Sequence, residues 1–258
     1  MTGPGTLATK VRRRGRLALS RTAEALLERR YGVESARHDT LAELGIEAAD
    51  RRWHHPSDWI SVRRALARLA PTPEDVFVDF GSGRGRAVLL AAGFPFRRVV
   101  GVELSDRLTA VARENLRRYR GRIRCAEVEF VTADATEYEI PDDLTVAYLY
   151  APFGGDVFAA WLRNLLASLD RTPRVLRLVF NYPSEHNRLI ASGRAEVLSV
   201  GPRSWPARRE ALDDVIVTYL LLPEGGRARL AGRVPEPDAT VDRAPGWRGP
   251  YDPGFHFG

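Results

Sequence analysis

The sequence predicts an α/β domain of three layers: a mostly parallel seven-stranded sheet, ending in an antiparallel pair, between two layers of helices. Three observations carry that prediction. From Asp75 onward, short runs rich in β-branched residues alternate with segments of helical period. The first of these runs leads straight into a glycine-rich turn that opens a helix. Near the end, two β-branched runs follow one another without a clear helix between them, as an antiparallel pair would require.

Residues 1–9 carry no pattern. A helix is expected from Ser20 to about Tyr31, with Ala23, Leu26 and Leu27 on one face and Gly32 ending it. The stretch Arg51 to Asp58 reads as a loop into a second helix, with Ser57 or Asp58 as its cap. That helix carries Ile60, Val62, Leu66 and Leu69 and stops before Pro71. Strands are then expected at 76–80, 98–103, 128–131, 145–149 and 175–180. The helices between them run from about Arg86 to Ala92, from the Ser105 cap through Leu116, and from Val157 to Leu169. The closing pair is Glu196–Val200 and Asp214–Leu222. After Pro223 the chain is rich in Gly, Pro and Arg and ends in Tyr251, Phe255, His256 and Phe257, an irregular tail whose aromatics could pin it to the core. The domain plan is therefore an N-terminal helical extension or lid over 1–70, a core over 71–223 and a tail over 224–258.

Composition narrows the function classes. The chain has 258 residues, 44% of them hydrophobic, enough for one α/β domain with extensions. A single cysteine, Cys125, excludes an internal disulfide and a cysteine-rich metal site, and it fits a reducing cytoplasm. No apolar run approaches the roughly 20 residues of a membrane span. Leu17-Ala18-Leu19, after the basic stretch from Lys10 to Arg16, is too short for a secretory signal, so the expected location is cytoplasmic. The net charge is +6, and with Lys10 the sole lysine it is almost wholly arginine. Two readings of that charge stay open: solvated arginines on helix faces, or attraction to an anionic partner such as nucleic acid.

The chemistry gathers at strand ends. Asp79-Phe80-Gly81-Ser82-Gly83-Arg84-Gly85 closes the first strand. Glycines let the backbone approach a ligand, and the following helix start presents free amides. A tight strand–helix turn alone would also produce such glycines. Asp79, however, suits a cationic ammonium group and would repel a pyrophosphate. Glu103 ends the second strand, where a carboxylate can accept both hydroxyls of a ribose. Asp134 follows the third, placed to accept from an adenine amino group. Three acids thus lie at the carboxyl ends of successive strands, the edge where open α/β sheets bind ligands.

Asp79-x-Gly81-x-Gly83-x-Gly85, then Glu103, then Asp134, resembles the first three motifs of the class I, Rossmann-like S-adenosylmethionine (SAM)-dependent methyltransferases, in a spelling similar to a bacterial subgroup. The likeness spans about Val76 to Tyr150. It implies SAM as cofactor and S-adenosylhomocysteine as product. It further implies that Asp79, Gly81, Ser82, Gly83 and Gly85 face the methionine part, Glu103 the ribose, Asp134 the adenine edge, and Leu104 and Ala135 the flat of the base. A nicotinamide-binding turn would want Gly-x-Gly-x-x-Gly, but position 86 is Arg86.

The acceptor side is less defined. Tyr150-Ala151-Pro152-Phe153 follows the fourth strand where enzymes of this class touch the acceptor, yet the amide or acid that base-amine methylases carry there is missing. Pro152 and Phe153 then serve as pocket wall. Asn181 and Tyr182, after the fifth strand, and Trp59 and His54, before the core, are further acceptor-side candidates. Methyl transfer needs in-line positioning and a dry pocket more than a base; Tyr150 and His55 are the candidates if one is used. No metal site is expected, because the histidines lack partners at ligand spacing.

The expected activity is methyl transfer to a small-molecule or peptide acceptor. The alternatives are a protein-lysine or nucleic-acid methyltransferase, and a non-catalytic SAM-binding partner protein. Neither oligomeric state nor the methylated atom is legible. Residues 33–59 read as the lid, and deleting 1–56 is expected to abolish transfer while leaving the sheet largely folded.

Overall fold

The computed structural model describes residues 22–46, 50–51, 56–202, 215–230 and 234–238. The first described element is α1, over 22–31. Gly32, at φ 73°, ends it by donating to the Glu28 carbonyl at 2.8 Å. Its inward face differs from the apolar stripe expected. Leu26 is 62% exposed, while Leu27 and Tyr31 pack inward. The reason is that Glu24 and Glu28 turn toward a buried arginine described below, and they set the helix's rotation.

From there the order is α2 (Trp59–Arg68), β1 (Val76–Phe80), α3 (Arg86–Ala92), β2 (Arg98–Glu103), α4 (Asp106–Arg118), β3 (Glu127–Thr132) and β4 (Val146–Leu149). It continues with α5 (Gly155–Arg171), β5 (Leu176–Asn181), α6 (His186–Ala191), β6 (Ala195–Pro202) and β7 (Val215–Leu221). Asp58, not Ser57, caps α2, accepting from the Ser61 amide at 2.7 Å. Ser105 caps α4 as expected. The short α6 was not predicted; six residues are too few to display a period.

The seven strands form one sheet in the order β3-β2-β1-β4-β5-β7-β6. β1 to β5 are parallel, and β7 runs antiparallel between β5 and β6. All five residues of β1 are buried, as a strand covered on both faces must be. One face is closed by α5 and α6, where Trp161 meets Phe80 edge-on at 5.4 Å. The other is closed by α2, α3 and α4, with Trp59, Val62 and Leu66 packed toward Phe77 and Ile216. Residues 59–68 thus supply part of the sheet's own cover. Val234 packs beside Leu198, Leu220 and Leu230, and the Asp238 amide donates to the Leu198 carbonyl at 2.8 Å. The aromatics expected to pin the tail lie outside the described residues. No helix among the described residues is long and apolar enough to cross a membrane.

Candidate functional site

After β3 the chain crosses back to place β4 beside β1, and a cleft opens at that switch, outside the carboxyl ends of the parallel strands. Asp79, Gly81, Ser82, Glu103, Leu104, Asp134 and Ala135, all read as facing a cofactor, line it. Tyr150, Pro152 and Phe153 line it from beyond β4. Gly83 and Gly85 stand behind the lining. Gly81 has φ 83°, and a Cβ there would lie 2.4 Å from Pro152 Cβ, so only glycine lets the turn meet the β4 wall. Gly85, at φ 87°, caps α3, and its missing Cβ makes room for the Phe130 ring.

The electrostatics of the cleft are acidic and buried. Asp79 is 2% exposed, and no cation among the described residues pairs with it. Burial, and then the nearby Glu103 charge, push its carboxyl well above the usual range. Glu103 accepts from the Gly83 amide at 2.8 Å and the Ser105 amide at 3.0 Å. Burial nevertheless outweighs those bonds and raises its pKa as well. Ser82 Oγ is buried without a partner. Two desolvated acids and an orphaned hydroxyl suit a cationic, hydroxylated ligand, and they disfavour a phosphate.

Asp134 is differently employed. Its Oδ1 accepts from the Thr136 amide at 2.9 Å and hydroxyl at 2.8 Å, and its Oδ2 pairs with Arg51. Burial raises its pKa, but the Thr136 bonds and the Arg51 charge win and hold it below the usual value. Arg51 itself belongs to a strap over the cleft. It bridges Phe153, the Asp50 carbonyl accepts from the Gly154 amide at 2.7 Å, and Asp50 Oδ2 accepts from the Asp156 amide at 2.9 Å at the start of α5.

The acceptor side contains an arrangement the sequence did not reveal. Tyr148 Oη accepts from Asn181 Nδ2 at 3.0 Å and lies 2.8 Å from Ser57 Oγ. Either hydroxyl can donate in the Ser57–Tyr148 pair, since the phenol oxygen can accept from both Asn181 and Ser57. Burial first, and the Asp79 charge second, raise the Tyr148 pKa, so the phenol stays neutral. Tyr148 and Ser57 both line the cleft, whereas Asn181 stands behind them, fully buried. Tyr150 points to the same side of β4 as Tyr148, two residues along. Tyr182 does not line the cleft; it packs at the α5 face with φ 56°. Trp59 does not line it either. It is 2% exposed, 5.1 Å from the Tyr31 ring, and has the Arg86 guanidinium 5.0 Å above it. His54 and His55 lie outside the described residues. Among those described, no three His, Cys, Asp or Glu side chains are grouped to hold a metal.

The two arginines of the glycine turn hold the N-terminal segment. Arg84 forms a fork with Asp39 at 2.8 and 2.9 Å, both side chains buried. Arg86 donates to Ser35 Oγ at 2.8 Å and the Ser57 carbonyl at 2.6 Å, and it pairs with Glu28 at 3.2 Å and Glu24 at 3.4 Å. Leu41, Leu44, Ile46 and Pro56 from this segment line the cleft. Two arginines alternating with glycines, in a turn that needs only the glycines, were the signal available for these contacts.

Residues 77–177 match the model of a family described as a methyltransferase domain. No curated protein sequence matches the chain. Among solved structures, it is similar to a TehB-like SAM-dependent methyltransferase from Corynebacterium glutamicum, with 16% identity over 70% of this chain and 91% of that one and a TM-score of 0.42. It is also similar to an RNA methyltransferase from Salinibacter ruber in complex with S-adenosylhomocysteine (23% identity, 63% and 91% covered, TM-score 0.40). A third is the magnesium protoporphyrin IX methyltransferase of Synechocystis with bound SAM (16%, 63% and 77%, TM-score 0.45). The matched stretch runs from β1 to the start of β5 and includes Asp79, Glu103 and Asp134.

Proposed function

We propose that this chain is a class I SAM-dependent methyltransferase and that it transfers the methyl group to a small-molecule or peptide acceptor held between Tyr148, Tyr150 and the N-terminal strap. The observation that supports it best is the pair of buried acids, Asp79 and Glu103, at a cleft that also presents the Ser57 hydroxyl. Bound SAM supplies an electrophilic methyl on a sulfonium. Asp79 offers a carboxylate to the ammonium group and Glu103 accepts from the ribose hydroxyls. Asp134 accepts from the adenine amine on the capacity that Thr136 and Arg51 leave it. Leu104 and Ala135 cover the base.

On the acceptor side the chain orients more than it reacts. Tyr148 is kept neutral, so it is no base at ordinary pH; through Ser57 it fixes where a polar acceptor atom sits. Leu41, Leu44 and Ile46 keep water away, which favours a cation losing its charge in the transition state. A recess of this kind admits a side chain or small molecule more readily than a duplex. Calorimetry with SAM and S-adenosylhomocysteine, without added metal, tests the reading: micromolar binding is expected, and binding of NAD in their place would overturn it. Release of S-adenosylhomocysteine in the presence of small-molecule and peptide pools then separates catalysis from mere binding.

A further inference from the structure

We infer that a second pocket, between α2 and the β6–β7 pair, binds a terminal phosphate group. Its polar lining is Ser61, Arg64 and Arg68 from α2, with Ser199 and Thr218 from the sheet, and no acid contributes to it among the described residues. Arg64 and Arg68 are one helical turn apart, and neither has a hydrogen-bond or ion-pair partner among the described residues. Like charges at that spacing repel, so the pair gains from an anion between them. The contrast with Arg84 and Arg86, which spend their donors on Asp39, Glu28 and backbone, is plain.

Two independent features show that the pocket is shaped for a ligand. Ser61 is 3% exposed, and its hydroxyl is buried with no partner. A buried hydroxyl left unsatisfied is costly, and a small anion entering the pocket would accept from it. On the opposite side Gly201 lets the Arg68 guanidinium lie against the strand: a Cβ there would stand 2.7 Å from Arg68 Nη1. Two guanidinium forks and a set of hydroxyls match the oxygens of a phosphate. The Ser61 hydroxyl can be reached only by a group that enters, which favours a terminal phosphate over a phosphodiester passing across the surface.

The pocket lies toward the same sheet edge as the cleft, since Gly201 pairs with Ile216, and Ile216 with Asn181. It is nonetheless walled by other residues, so its test stands apart from the methyltransferase reading. Inorganic phosphate is titrated into the wild-type chain and into Arg64→Gln/Arg68→Gln, with S-adenosylhomocysteine titrated into both in parallel. Both arginines are exposed, so the variant folds. The expected result is at least a ten-fold loss of phosphate affinity with the second affinity unchanged, and a smaller loss in Ser61→Ala. In a second arm, a short single-stranded RNA with a 5′-phosphate is compared with the same RNA lacking it. Equal binding of the two RNAs would overturn the terminal-phosphate assignment in favour of a backbone surface. No phosphate binding, or equal affinity in wild type and variant, would overturn the pocket itself. Failure of S-adenosylhomocysteine alone would instead count against the proposed function.

Discussion

Asp79 is held in a place that penalises its charge, and the two consequences have opposite signs. Its pKa in the folded chain lies above the ordinary value of about 3.9. The stability it contributes is therefore full below that value and is lost as pH rises through the folded pKa. Asp79→Asn should raise the melting temperature of the ligand-free protein at pH 8 while weakening SAM binding. In the wild type, the melting shift produced by SAM should grow from pH 5 to pH 8, because only the ionised carboxylate attracts the ligand's cation. Thermal melts at the two pH values check both signs; an Asn variant that loses stability at pH 8 would remove Asp79 from this role. Glu103 is bound to amides on two sides, so Glu103→Ala should cost about 1.5–3 kcal/mol of cofactor affinity, read by calorimetry on a variant shown to be folded. Both acids were legible in the sequence, because a carboxylate at a strand end needs no tertiary information to be noticed. Tyr148 and Ser57 were not. One reads as an ordinary strand residue and the other as a cap, and only the packing of the segment before α2 against β4 brings their hydroxyls together.

At the level of elements, the strands were read with ends correct to within a residue or two where burial is continuous, as in β1 and β2. The contacts of residues 33–46 were hidden, since no periodic pattern announces a loop fastened by charge. Asp39 and Arg84 form a buried pair, and removing one partner strands the other. Arg84→Met should therefore destabilise by about 3–5 kcal/mol. Arg84→Met with Asp39→Leu should recover much of that loss, because no charge is left uncompensated. Urea unfolding of the wild type, both single variants and the double variant gives the coupling. If the double variant is as unstable as the sum of the singles, the fork is not what fastens the loop. The ends of β4 and β5 carry a further feature out of reach of pattern: Ala151 and Tyr182 take positive φ, at 40° and 56°, which places backbone strain beside the cleft.

Across the whole molecule, arginine joins the N-terminal segment to the glycine turn, and this alters what truncation should do. Val33, Trp59, Val62 and Leu66 share one hydrophobic cluster with Phe77, Leu89 and Val179, so no independent core lies ahead of β1 among the described residues. Arg84 and Arg86 are 5% and 3% exposed, and the described hydrogen-bond and ion-pair partners of their guanidinium groups, from Glu24 to Ser57, all precede β1. Deleting 1–56 would leave two guanidinium groups at the rim of the cofactor turn with most of their partners gone. The expectation of a largely intact sheet from the sequence alone therefore gives way to a different one: the truncated chain should lose stability first and methyl transfer as a consequence. A milder change isolates the lid role. Arg51→Ala removes the pair to Asp134 and leaves Asp50 on α5. Hydrogen exchange with and without S-adenosylhomocysteine should then show protection of residues 41–51 rising on binding in the wild type and less in the variant. A rise of equal size in both would place the strap's hold in Asp50 and the aliphatic contacts of Leu41, Leu44 and Ile46. No rise in either would mean that the segment is a fixed wall of the cleft and not a lid.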